Sequence, residues 1–319
     1  MRVVFLGTPE FAVPSLEILF NHSNQLCEVV GIITQPDRPA GRGHKLRPSP
    51  VKVVAEKHGV AVFQPKKIRS NPAVFDFLKD KHPDLIVVVA FGQILPIEFI
   101  DFPSLGTLNV HASLLPKYRG ASPIVHVLLN GERETGVTIM KVDEGIDTGD
   151  ILSQMVVPVS DNMTAGELEE VLAVQGSQLL LETLPGYVER EMALSPQDNG
   201  KSSYAPRISK DDAEIDWAQS AEIVHNRIRA FNPWPLAFTG FRGDKLKIWC
   251  SRKIDCPDRI WRNSGNLGRV VAVDGAEIIT QCGQGTFLSV NELQMPNRKR
   301  ISAGDFVNGV RLKVGESFA

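Results

Sequence analysis

Cysteine is scarce in this chain of 319 residues, and the four present (Cys27, Cys250, Cys256 and Cys282) include no Cys-x-x-Cys pair and no histidine at zinc-ligand spacing. A disulfide scaffold and a structural metal site are thereby disfavoured, and reduced thiols in a cytoplasmic protein are expected. Net charge is equally slight, since 35 Lys and Arg stand against 37 Asp and Glu. Wholesale polyelectrolyte binding does not fit that balance, so any contact with nucleic acid must come from a local basic patch. No apolar run reaches membrane length, and Met1-Arg-Val-Val-Phe-Leu-Gly7 is too short to be a secretion signal. The expectation is a soluble, untargeted chain with no membrane contact. Internal repeats and low-complexity tracts are also missing.

What the chain does have is enough length for two domains and an ordinary hydrophobic share of 43%. Apolar strands at residues 2–6, 29–34, 60–63, 84–90, 108–111, 136–142 and 151–157 alternate in the first half with helical patterns at 51–58 and 73–79. That alternation predicts an α/β fold with a Rossmann-like, open, mostly parallel sheet. The first turn, Gly7-Thr-Pro-Glu-Phe-Ala12, lacks the second and third glycines of a dinucleotide fingerprint. A nicotinamide cofactor is therefore not expected. Thr164-Ala-Gly-Glu167 reads as a capping box opening a long helix. The polar, breaker-rich stretch that follows places a linker at 191–208, between a catalytic domain over 1–190 and a second domain over 209–319. The short, evenly spaced strands of the second domain predict a small β-barrel.

Chemistry concentrates in Gly106-Thr-Leu-Asn-Val-His-Ala-Ser-Leu-Leu-Pro-Lys-Tyr-Arg-Gly-Ala-Ser122. Leu108 and Val110 alternate with Asn109 and His111, so a strand here projects Asn109 and His111 together from one face. A neutral amide donor beside an imidazole suits stabilising an oxyanion and moving a proton. Downstream, Asp143-Glu-Gly-Ile-Asp-Thr-Gly-Asp150 supplies acids, and spacing alone leaves Asp143, Glu144, Asp147 and Asp150 as equal candidates. The loop at 34–50 has four prolines, two glycines, and Arg38, Arg42, Lys45 and Arg47 against the single Asp37. Fixed positive charge on so long a loop suits phosphate contacts.

The run Asn109-Val-His-Ala-Ser-Leu-Leu-Pro-Lys-Tyr-Arg-Gly120, with the acidic loop at 143–150, resembles the signature of the folate-dependent formyltransferase family. The likeness extends over essentially the whole chain, including Arg229-Ala-Phe-Asn-Pro-Trp-Pro235. It implies 10-formyltetrahydrofolate as formyl donor, with no metal, and a catalytic set of Asn109, His111 and Asp147. The choice of Asp147 rests on the family's aspartate within Gly145-Ile-Asp-Thr-Gly149. The resemblance also implies folate contacts from Ser113, Leu114, Leu115 and Pro116. Phe91 and Ile94, just beyond the strand ending at Ala90, are candidates to wall the pteridine pocket.

In the branch of that family acting on methionyl-tRNA, a basic insertion reaches the acceptor end of the initiator tRNA, and the 34–50 loop resembles it. Arg38, Arg42, Lys45 and Arg47 are thus the expected tRNA contacts, and methionyl-initiator tRNA the expected acceptor. The second domain is expected to have an oligonucleotide-binding-type (OB-like) barrel topology and to bind tRNA. From residue 209 on, sixteen Lys and Arg face thirteen Asp and Glu. Clusters at Arg242, Lys245, Lys247, Arg252 and Lys253 and at Arg298-Lys-Arg300 are candidates to track a nucleic-acid backbone. A monomer is expected. The competing readings are a formyltransferase or formyl-folate hydrolase with another acceptor, and a non-catalytic RNA-binding protein.

Overall fold

The computed structural model describes residues 1–23, 25–40, 45–254, 267–275 and 277–318. Arg42 and Cys256, and the side chain of Lys45, lie outside what it describes. The chain forms two compact units: residues 1–123, 134–158 and 169–206 in the first, the rest in the second.

In chain order the elements of the first half are β1 (Arg2–Gly7), α1 (Val13–Asn21), β2 (Glu28–Ile33), β3 (Arg38–Ala40), β4 (Lys45–Arg47), α2 (Pro50–Lys57), β5 (Val62–Phe63), α3 (Pro72–Lys81), β6 (Leu85–Val89), α4 (Ile97–Ile100), β7 (Thr107–His111), α5 (Pro123–Leu129), β8 (Glu134–Lys141), β9 (Ile151–Pro158) and α6 (Ala165–Val188). Seven strands make one sheet in the order β5-β2-β1-β6-β7-β8-β9. The first five run parallel, whereas β7–β8 and β8–β9 pair antiparallel. β6 is buried along its whole length, as its unbroken β-branched run requires in a strand covered on both faces. Ser49 caps α2 by accepting from the Lys52 amide, and Pro50 stands where the helix needs no donor. The capping box of α6 forms as read, with the Thr164 amide donating to Glu167 Oε2 at 2.8 Å and the Glu167 amide to Thr164 Oγ1 at 3.3 Å.

The second unit holds α7 (Ala221–Ala230), β10 (Phe238–Phe241), β11 (Asp244–Lys253), β12 (Val270–Asp274), β13 (Glu277–Gln281), β14 (Phe287–Gln294), β15 (Ile301–Ser302) and α8 (Ala303–Val310). Its strands form an antiparallel sheet, β10-β11-β14-β13-β12, with β15 added to β14. The sheet curls into a half-barrel around Trp217, Phe231, Phe241, Phe306 and Phe318. The C-terminal tail laces its edges: Val270 donates to Glu316 O, while Arg242 grips the Glu316 carboxylate with two nitrogens at 2.8 Å. Among the described residues no helix is long and apolar enough to cross a membrane. Burial pushes the Cys27 thiol up to about 11 and the Cys282 thiol up to about 12, which suits thiols that only fill space.

Candidate active site

β7 lies between β6 and β8 at the point where the sheet changes from parallel to antiparallel pairing, and its carboxyl end presents the residues of interest. Leu108 and Val110 are buried as their alternation demands. Asn109 is half-buried, and His111, at 6% exposure, is nearly enclosed. His111 Nε2 lies 3.0 Å from the Tyr118 carbonyl oxygen, which only accepts, so Nε2 carries the proton. Nδ1 therefore faces the other way, 3.7 Å from Asp147 Oδ2.

The Asp147 carboxylate is held by the Gly120 amide, which donates to Oδ2 at 2.8 Å, and by Asn109 Nδ2, which donates to Oδ1 at 3.4 Å. Asp143 and Glu144 go elsewhere. Asp143 folds back on its own turn, accepting from the Gly145 amide and the Thr148 hydroxyl, and Glu144 is exposed. Asp147 is the acid that meets Asn109 and His111, a selection that spacing alone left open. Its backbone sits at φ 53°, in the left-handed region that aspartate tolerates better than most residues. Two positions later the backbone passes so close to β8 that a Cβ on Gly149 would fall 1.8 Å from the Lys141 carbonyl oxygen.

The segment after β7 is wired to the sheet rather than loose. Thr138 on β8 donates its hydroxyl to Ser113 O at 2.7 Å and accepts from the Leu115 amide and from Gln154 Nε2. Ser113 is fully buried, and its hydroxyl donates to Lys117 O at 2.7 Å. Leu115 is buried, Leu114 and Pro116 are half-buried, and the Leu115–Pro116 peptide is cis. Phe91 packs in the core with Phe99 and Leu95, whereas Ile94 is 72% exposed. The first is thus a foundation and the second an open apolar surface.

The basic loop contains a short hairpin, β3 against β4, where the sequence reading expected no regular element. Strands of three residues are too short for periodicity to register. Arg38 and Arg47 pair across it and are exposed. Its base is fastened twice. Thr34 and Ser49 share a buried hydroxyl–hydroxyl bond of 2.7 Å, and Lys52 Nζ donates to both oxygens of Asp37. The Gln64 amide and the Lys52 ammonium hold the Asp37 carboxyl below its ordinary range. Gln35 ties this base to the segment after β6, since its side chain donates to Phe91 O and accepts from Arg38.

In the second unit five of the expected backbone-tracking cations already have partners. Arg242 pairs with Glu316, Arg252 with Glu277 and Arg300 with Glu292, Lys253 lies 3.8 Å from Asp161 and Glu222, and Lys245 caps the Phe238 ring. The sequence read the charges correctly but gave no sign of their partners.

Several residues of this site escaped the sequence reading. Tyr118 and Gly120 contribute only main-chain atoms, which no side-chain motif announces. Gln197 lies in the polar stretch whose composition predicts a linker, yet it donates to Asp147 O at 2.9 Å and Gly149 O at 2.7 Å. Among the described residues no group of His, Cys, Asp and Glu could hold a metal ion. A neutral amide donor, an imidazole and a carboxylate converge at the strand end, a set suited to acyl transfer through a tetrahedral intermediate.

Comparison with known proteins agrees. The formyl transferase family model matches residues 1–184, and that of the formyl transferase C-terminal domain matches 207–311. The methionyl-tRNA formyltransferase of Clostridium perfringens (strain SM101) is 43% identical over 318 residues, covering 99% of each chain. That of Bacillus subtilis (strain 168) is 44% identical, covering 99% of this chain and 96% of its own. In fold, the chain is similar to the N-formyltransferase from Helicobacter canadensis solved with folinic acid and dTDP-3-aminofucose, with a TM-score of 0.66 at 22% identity, covering 92% of this chain and 99% of that one. By its domain models and by these full-length relatives, the chain belongs to the methionyl-tRNA formyltransferase family of formyl transferases.

Proposed function

We propose that the chain transfers the formyl group of 10-formyltetrahydrofolate to the free amino group of methionyl-initiator tRNA in the cytoplasm, giving the N-formylmethionyl-tRNA used to start translation. The observation that carries this reading is the meeting of Asn109, His111 and Asp147 at the end of β7.

The chemistry follows from those groups. The α-amino group of an aminoacyl-tRNA titrates near 8, so a substantial fraction is already nucleophilic at neutral pH. Its attack on the formyl carbon places negative charge on the formyl oxygen. Asn109 Nδ2 has two hydrogens; Asp147 takes one, and the second is the oxyanion donor. His111 has committed Nε2–H to Tyr118 O, which makes Nδ1 the nitrogen that carries a proton to the oxyanion or to the departing folate nitrogen. Asp147 orients both groups and takes up the proton that the amine loses. One C–N bond forms, one breaks, and the proton passes from the amine to the leaving nitrogen. No enzyme nucleophile is needed, which fits a Ser113 hydroxyl already bound to Lys117 O.

On this reading the exposed Ile94 and the half-buried Leu114 and Pro116 offer apolar surface to the pteridine, Phe91 supports them from the core, and Ser113 and Leu115 hold the turn in shape. Arg38, Arg42, Lys45 and Arg47 supply phosphate contacts, Arg38 and Arg47 from an anchored hairpin, and the half-barrel adds a second tRNA surface. Labelled formyl transfer tests it, with methionyl-initiator tRNA, methionyl-elongator tRNA and free methionine as acceptors. Labelling of the initiator species alone is expected. Release of free formate, or labelling of a small amine instead, would contradict it.

A further inference from the structure

We propose that Gln197 is a positioning residue for Asp147, setting the carboxylate against Asn109 and His111; this inference rests on the formyl-transfer reading of that site. Gln197 touches none of the three catalytic side chains' reacting atoms. Its amide instead joins the two backbone segments that hold the carboxylate.

On one side, Nε2 spends both hydrogens on the loop carrying Asp147, donating to Asp147 O at 2.9 Å and Gly149 O at 2.7 Å. On the other side, Oε1 accepts from Arg119 Nε at 3.0 Å and from Arg119 Nη2 at 2.8 Å. Both donors and both lone pairs are used. The orientation of the amide is fixed as well, because reversing it would set carbonyls against its oxygen and the guanidinium against its nitrogen.

Arg119 directly precedes Gly120, whose amide donates to Asp147 Oδ2 at 2.8 Å. The Arg119 main chain is itself laced to the Gln197 segment, with its amide donating to Ser203 O at 2.9 Å and its carbonyl accepting from the Ala205 amide at 2.7 Å. Arg119 Nη2 also donates to Asn199 Oδ1 at 2.9 Å. Gln197 therefore sits at the centre of a brace whose arms end at the Asp147 backbone and at the donor to its carboxylate. The brace also fixes the Asp147 backbone at φ 53°, in the left-handed region that few residues other than glycine adopt.

The test uses Gln197→Leu and Gln197→Glu in the full chain, assayed for formyl transfer to methionyl-initiator tRNA from 10-formyltetrahydrofolate. An ångström of misplacement costs on the order of 100-fold, so Gln197→Leu should lower kcat about 10- to 100-fold while both KM values stay within about twofold. In Gln197→Glu the introduced carboxylate keeps the Arg119 contact but opposes two carbonyl oxygens. Its kcat relative to wild type should be low at pH 8 and rise as the pH falls and the carboxyl gains a proton to donate. A purely structural role would not produce that recovery.

Wild-type kcat in Gln197→Leu, with the wild type itself active, overturns the inference and leaves the formyl-transfer reading standing. A wild type that transfers no formyl group overturns that reading. In that case amide exchange at Gly120 decides the positioning claim without turnover: faster exchange in Gln197→Leu upholds it, and unchanged exchange overturns it. Should Gln197→Leu not fold, wild-type kcat in Gln197→Glu at every pH overturns the inference.

Discussion

His111 turns its Nδ1 toward Asp147 Oδ2, 3.7 Å away, because its Nε2–H is bound to the Tyr118 carbonyl. The separation is longer than a hydrogen bond, while the Gly120 amide makes the short contact to the same oxygen. The carboxylate's charge is thus the property to remove. Asn at 147 accepts the left-handed backbone and keeps an oxygen for Gly120. Asp147→Asn should lower kcat about 100- to 10,000-fold, as for loss of a general acid–base partner, with a melting temperature close to wild type. Steady-state kinetics beside a thermal melt checks both.

The anchored hairpin gives a second prediction, in which binding rather than chemistry changes. Lys52→Met leaves Asp37 with Gln64 and removes one of the two fastenings at the base of the basic hairpin. The KM for methionyl-tRNA should rise about three- to tenfold, the factor by which the competent hairpin population falls, with kcat and the folate KM unchanged. A matching rise in the folate KM would show that the clamp serves the donor site instead.

The third concerns acid stability of the C-terminal unit. His225 is buried, with Nε2–H donated to Asp161 O at 2.9 Å and Nδ1 3.0 Å from the Ser251 hydroxyl, a pairing that suits the neutral ring. Burial holds its pKa below the ordinary value; Arg229 and Lys253 add to that, and the Asp161 carbonyl and carboxylate oppose it. A depressed folded pKa means that the unfolded chain binds the proton first as the pH falls. Stability is then fully present above the unfolded value of about 6.5 and is lost toward the lower folded value. All four tryptophans, Trp217, Trp234, Trp249 and Trp261, lie in this half of the sequence. Urea midpoints read by tryptophan fluorescence should fall below about pH 6.5, and His225→Gln should flatten that slope.

Gly149→Ala gives the fourth. The added methyl meets the Lys141 carbonyl oxygen at 1.8 Å, and that obstacle is main chain of β8 rather than a side chain that can swing aside. The loop must shift and take Asp147 with it. A destabilisation of about 1–3 kcal/mol is expected, with at least about tenfold loss of kcat. Wild-type kinetics in this variant would mean that the Asp147 loop tolerates displacement.

How much of this was legible in the sequence depends on the range of the interaction. The unbroken run at Leu85–Val89 and the alternation at Leu108–His111 are local patterns, and both became the expected strands. The capping box at Thr164 is local too. Asp147 was picked from four acids only by family likeness, because its selection depends on Gly120, which is 27 residues away. Gln197 sits among Ser, Asn, Asp and Gly, a composition shared by solvated linkers and by loops whose polar groups bind one another. The cations of the half-barrel were visible as charge, but Arg242 meets Glu316 across a separation of 74 positions in the chain. Patterns carried by neighbours could be read, whereas those closed by the fold could not.

The most direct test of the account is the rate of formyl transfer to methionyl-initiator tRNA by Asn109→Ala and His111→Ala at saturating substrates. Loss of one oxyanion donor costs about 100- to 1000-fold, so each variant should lose that much kcat while its affinity for tRNA is retained. Variants that turn over like the wild type, or that lose tRNA binding instead of turnover, would contradict the assignment of the chemistry to the end of β7.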